Sequence, residues 1–483
     1  MKKLLYIAGS LFISASVFTS CERDISQLNI DPKHPEVVPS RNLVVSSEKY
    51  LADYWVTPSV NLNISRFFTQ QWTETQYIDE TNYNFITRNQ PQNHFNTMYR
   101  DVIGPLKTAN QFLAGEVEDQ IYSNAEKAKV KANKGAIIEI LSIYAWVNLV
   151  DSFGNVPYSE ALKSEEGATI FQPKYDDAAT IYADLATRLN AVIGRIDTSL
   201  PGYTNDAFYN GDMGQWLKVI NSLKLRMGLN LADVDAAKSK SLVESAYAAG
   251  VITDPADDFA FPYEDGLVSN PIFQNLVQSG RNDFIPSDVY MNALKAKSDP
   301  RIPKFFTPKA DGTYVGGPYG QLASYANYSH VADVIKAPDY PGYLIESVEV
   351  KFMLAEAAAR GYNVGGSAAT WYDLGVTGSM VMWGVDPAAA ATYLAANPYD
   401  AANWKKSIGT QAWFAMHNQG MAAWYFFRRL DYPQLATPGG AEGLVYRITY
   451  SNNEYSTNTT NVNAAATAIG GDKYTTKVFW DKF

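Results

Sequence analysis

A mostly helical fold, with helices paired into stacked hairpins and one loop-rich side, is what this sequence predicts. Three observations carry that expectation. Apolar residues recur at helical spacing over most of the chain beyond residue 40. Alanine-rich faces follow one another in neighbouring segments, which lets helices approach closely in pairs. Two long stretches, 57–92 and 254–342, break the helical pattern and are rich in Asn, Gly, Pro, Tyr and Phe.

The N-terminus has an organisation of its own. Lys2 and Lys3, the apolar run Leu4–Val17 and the small residues Thr19 and Ser20 read as a signal peptide over residues 1–20. The run is too short to span a hydrocarbon core of about 30 Å. Cys21 is the only cysteine and stands at the cleavage point, where a bacterial lipoprotein carries diacylglycerol on its thiol. Two or more acyl chains there hold a protein stably on a membrane. Residues 21–40 are polar and proline-bearing, a lipidated N-terminus and linker, and 41–483 are expected to form a single helical domain.

Within that domain, Ile138, Leu141, Ala145 and Leu149 lie on one helical stripe. Tyr175–Ile196 and Gln215–Leu231 show the same spacing, and Glu346–Arg360 does so with Gly361 placed as its stop. Further helices are expected near 41–54, 95–114, 236–249, 287–297, 367–380, 387–396, 403–417 and 420–430. The pairing suits hairpins of the tetratricopeptide type, although no fixed sequence period repeats. A few short β-hairpins complete the expected fold. The tail from Thr437, with SNNEYSTNTTNVN its most polar part, reads as loop.

Composition narrows the function classes. The formal net charge is −10 and no basic run occurs, which argues against nucleic acid as a partner. With residues 1–20 removed, no cysteine besides the acylated one remains, so neither a disulfide nor a nucleophilic thiol is expected. The four histidines, His34, His94, His330 and His417, show no metal-binding spacing. No Gly-x-Ser-x-Gly elbow or phosphate-binding glycine loop is present. A glycosidase needs only two carboxylates placed by the fold, so that class stays open. Asp254, Asp257, Asp258, Glu264 and Asp265 form either a structural calcium site or a solvated acidic loop. The 32 tyrosines and 10 tryptophans, many in Asn- and Gly-rich sequence, suit stacking on sugar rings or extended peptides.

Six ordered segments carry a family resemblance. They are DSFGNVPYSEAL (Asp151–Leu162), LKLRMGLNLAD (Leu223–Asp233), Ser298-Asp299-Pro300-Arg301, ESVEVKFMLAEAAARG (Glu346–Gly361), IGTQAWFAMHNQGMAAWYFFRRLDYP (Ile408–Pro433), and the closing set Arg447, Tyr450, Glu454, Asn458 and Asn461. Together with Cys21 they resemble the SusD/RagB nutrient-binding outer-membrane lipoproteins of Bacteroidetes. Asp151, Glu160, Arg428 and Arg429 within them read as scaffold, capping helix ends or pairing buried charges.

The resemblance implies a non-enzymatic, lipid-anchored surface protein of the outer membrane. It would pass a nutrient to a SusC-like, TonB-dependent transporter. The ligand it implies is a glycan, with peptide close behind, and no cofactor is implied. A surface glycoside hydrolase and a peptide-binding or adhesive lipoprotein are the alternatives. The family places its sites in irregular regions. The candidate contacts are therefore Trp72, Tyr77, Asn82, Tyr83 and Phe85 in the first stretch. In the second they are Arg281, Asn282, Asp283, Tyr314, Tyr319, Tyr325 and Tyr328.

Overall fold

The computed structural model describes residues 38–163 and 170–483, of which Ser40–Phe483 form one unit. The signal segment, Cys21 and the linker up to residue 37 lie outside the described residues. Helix α1 (Ser40–Val56) begins at the end of that linker, and the Ser40 backbone N–H donates to the Glu116 carboxylate at 2.6 Å.

The helix expected near 95–114 is three pieces: α2 (Gln90–Asn96), a π-helical turn (Thr97–Ile103) and α3 (Gly104–Gly115). Pro105 has no N–H to give the Asp101 carbonyl, and the Gly104 N–H bonds back to the Tyr99 carbonyl, which widens the turn. Helix α4 (Asn124–Phe153) then runs 30 residues from a reciprocal cap between Ser123 and Glu126. From Ala136 to Phe153 it is buried on all sides except at Glu139, as befits a helix that is apolar all round. It is long and apolar enough to cross a membrane, yet here it is core.

Around α4 the expected hairpins stack. Helix α5 (Ala178–Ile193) packs along it, and α6 (Met213–Asn230) pairs with α7 (Ala236–Ala249). At Gly228 a Cβ would stand 2.8 Å from the Val243 side chain, so glycine sets that spacing. Helix α8 (Asp288–Ala296) lies within the second irregular stretch. Next, α9 (Ser347–Ala359) pairs with α10 (Ala368–Met382), followed by α11 (Pro387–Ala396), α12 (Trp404–Ala415) and α13 (Gly420–Leu430). The tail differs from expectation: α14 (Asn452–Thr457) and α15 (Thr459–Ala468) form there, α14 capped by the Ser451 side chain.

Among the described residues the strands form four antiparallel pairs. Strand β1 (Trp72–Glu74) pairs with β5 (Phe284–Pro286), β2 (Val156–Pro157) with β3 (Tyr175–Asp176), β4 (Phe259–Phe261) with β8 (Gly342–Ile345), and β6 (Phe306–Thr307) with β7 (His330–Val331). None is a tight hairpin. The β1–β5 and β4–β8 pairs tie distant stretches of the chain together, and the other two close loops of about twenty residues.

The charged residues of the shared segments are scaffold, as expected. Arg226 pairs with Glu349 at 2.7 Å, both buried. Glu356 takes Arg429 at 2.7 Å and Arg360 at 3.0 Å, and Arg360 reaches on to Asp233 at 2.9 Å. Asp151 accepts from the Trp480 indole at 2.8 Å and from the Tyr182 hydroxyl. Glu160 accepts the Lys174 N–H at 2.9 Å. Arg428 lies 3.5 Å over the Trp424 ring and donates to carbonyls of Asp151 and Tyr446, so it serves the end of α4 rather than its own helix.

Candidate functional site

The two irregular stretches meet at Thr75. Its N–H donates to the Asp283 carbonyl at 2.8 Å, its hydroxyl to the Asn282 carbonyl at 2.9 Å, and its own carbonyl accepts the Ala323 N–H at 3.0 Å. Strand β1 leads into this point in register with β5, Glu74 opposite Phe284. Nearby, the Asn82 amide donates to the Gly320 carbonyl at 2.9 Å, and Gly320 donates to the Thr73 hydroxyl at 3.2 Å. Gly316 allows the backbones to close, since a Cβ there would lie 2.3 Å from the Ser287 carbonyl oxygen. Segments 76–89, 281–283 and 320–328 thus share one surface.

The predicted contacts divide between that surface and its foundation. Tyr77 is 65% exposed, and the Arg88 guanidinium stands 5.8 Å from its ring centre. Arg281 and Asn282 are exposed, with Arg281 lying 3.8 Å from the half-buried Asp283. Tyr325 is half-buried and stacks on His330, ring centres 3.8 Å apart. Tyr314 and Tyr328 are half-buried, Asn82 is spent on the loop-to-loop bond, and the Tyr319 hydroxyl is tied to the Phe67 carbonyl at 2.6 Å.

Trp72, Tyr83 and Phe85 are instead core residues, at most 3% exposed. Trp72 lies between Arg66 and Phe284, and Phe85 between Phe68 and Tyr474, while the Tyr83 hydroxyl accepts from Gln70. Their polar sequence neighbours concealed this. The rings support the surface from beneath and present no face to a ligand in this conformation.

Sequence reasoning passed over Arg88 and Leu322, both on or beside this surface, Leu322 72% exposed. It also passed over the carboxyls below. Glu74 and Glu80 are both buried, Glu74 accepting from Thr81 N–H and hydroxyl at 3.1 Å, Glu80 lying 2.7 Å from Arg88. Burial, then the neighbouring Glu80 carboxyl, pushes the Glu74 carboxyl up to about 9, and burial raises Glu80 as well, against the pull of Arg88. With one cation facing two carboxyls, the folded protein keeps a proton that the unfolded chain releases. Stability from this pair is whole below the ordinary value of 4.5 and is lost as pH rises toward 9. Glu74→Gln is therefore expected to melt above the parent at about pH 8.5 and to converge with it below about pH 4.5. Parallel pH slopes in calorimetry would refute this.

The acidic cluster does not fit calcium. Asp254 caps a short turn at the Ala256 N–H, Asp257 pairs with Lys218 at 2.6 Å, Asp258 accepts the Ser347 N–H at 2.6 Å, and Glu264 and Asp265 face solvent. Among the described residues no three His, Cys, Asp or Glu side chains converge as metal ligands.

Comparison with known proteins agrees with this architecture. A chitin-binding protein of known structure superposes with a TM-score of 0.78 at 24% identity, covering 92% of this chain and 100% of its own. A chitin-binding SusD homologue from Flavobacterium johnsoniae gives 0.75 at 23% identity, covering 92% and 98%. A SusD-like protein from Bacteroides thetaiotaomicron gives 0.74 at 24%, covering 92% and 99%. Among curated protein sequences none matches the chain. A family model described as starch-binding and associating with the outer membrane matches residues 32–450, and on that match the chain belongs to the SusD-like family.

Proposed function

We propose that this protein captures a glycan at the cell surface and delivers it to a SusC-like, TonB-dependent transporter. The observation that carries the reading is the surface around Thr75. It places an exposed tyrosine, an arginine over its ring and exposed amide and charged side chains on a rigid helical base. Binding asks for no chemistry beyond stacking and hydrogen bonds held in place. Family membership supports it, as do the chitin-binding relatives of the same fold. Tyr77, Arg281, Asn282, Asp283 and Tyr325 are the proposed contacts. Asn82, Tyr314, Tyr319 and Tyr328 stand behind them, and Trp72, Tyr83 and Phe85 form the support. Cys21 is the proposed lipid anchor that keeps the body beside its transporter.

The test is a glycan and peptide array probed with Cys21→Ala protein. The variant is expected in the soluble fraction with glycan binding intact and no turnover of the bound glycan. Tyr77→Ala is expected to weaken that binding about tenfold, the effect of one good contact residue. Selective binding of peptides, or hydrolysis lost on mutating a single carboxylate, would replace the reading. Recovery of a large β-barrel with the lipidated protein tests the delivery step.

A further inference from the structure

Beside the surface described above lies a concavity. Loop 85–91 and segment 449–455 enclose a hollow of about 160 Å3, with the exposed Ile86 and half-buried Tyr455 in its walls and the buried Phe85 behind them. Of the polar side chains that line it, those of Asn89, Thr449 and Asn452 have, among the described residues, no hydrogen-bond partner in the protein. The one ionised wall group is already answered. Asp472 takes Arg447, the Tyr450 N–H at 3.0 Å and the Tyr455 hydroxyl at 2.8 Å.

We infer that this hollow is a second carbohydrate subsite, taking one neutral sugar ring of the same glycan chain; the inference rests on the glycan reading above. Apolar wall, free amides and hydroxyl match the two faces of a pyranose, which offers C–H groups on one side and hydroxyls around its edge. A charged group finds no counter-ion there, because Asp472 is spoken for. The volume is below the roughly 300–1,000 Å3 of pockets that enclose a whole ligand, so a single ring enters and the rest of the chain stays outside. Continuity comes from the loop. Arg88 stands over Tyr77 on one side and is followed directly by Asn89, so one segment serves both places.

The experiment titrates chitooligosaccharides and maltooligosaccharides of increasing length against the parent protein and the triple variant Ile86→Ala, Asn89→Gly, Asn452→Ala. All three positions are exposed, and glycine tolerates the left-handed backbone of Asn89 (φ +52°), so the fold is kept; unchanged melting checks this. In the parent, affinity should climb with chain length. In the variant the climb should stop early, leaving the longest oligomers bound about tenfold more weakly while Tyr77→Ala weakens short and long ones alike. Equal gains with length in both proteins would overturn the second subsite and leave the first standing. If the parent binds neither series, the glycan reading falls and this inference with it.

Discussion

Glu356→Ala is expected to lower the unfolding free energy by about 3–5 kcal/mol, the cost of leaving a buried charge without its partner. Glu356 is fully buried and divides its carboxylate between Arg429 and Arg360. Arg360 keeps Asp233, but Arg429 keeps only the Phe426 ring, 4.9 Å away, and the Asn230 amide oxygen at 3.1 Å. A guanidinium 4% exposed would then be almost unpaired inside the frame. Glu356→Gln, which preserves shape and removes charge, should fail in the same direction. Denaturant unfolding measures both. A loss under about 1 kcal/mol would mean that the pair is worth no more than one at the surface.

Trp72→Ala is expected to cost about 3–5 kcal/mol as well, through the cavity a deleted indole leaves in a packed core. Its neighbours, Arg66 and Phe284, belong to segments more than 200 residues apart, so they have little freedom to collapse into the space. Tyr77→Ala, five residues on, should leave stability within about 0.5 kcal/mol, since its ring stands in solvent. The two aromatics look alike in sequence and divide here into a buried support and an exposed ring. Thermal or chemical melting of the pair checks the division, and a Trp72→Ala protein of parental stability would return that residue to the surface.

What the sequence made legible follows from what periodicity can record. The stripe of Trp216, Ile220, Leu223 and Met227 is buried as it predicted, because a helix displays its environment at fixed spacing. Helices α14 and α15 escaped because only Val462 and Ala465 among their residues are buried, which leaves no stripe to see. The signal that remained was Ser451 with Glu454 three residues later, the pattern of a helix start. Within the candidate site, composition located the two stretches but not the order within them. Whether Trp72 or Tyr77 faces outward depends on the pairing of β1 with β5, a contact between parts of the chain that no local pattern records. Trp72 and Phe85 were assigned to the surface by their polar neighbours, and burial decided otherwise.

The Thr75 junction also says something about time. Its hydroxyl reaches across 207 residues of chain, whereas a hairpin such as α6–α7 closes over a short turn. Loop closure of that span comes at an entropic cost that local helix pairs do not meet, so the contacts across the junction are expected to form after those pairs. A glycan lying across both stretches would act as a clasp between them, and occupancy would be felt as a stiffening of this rim.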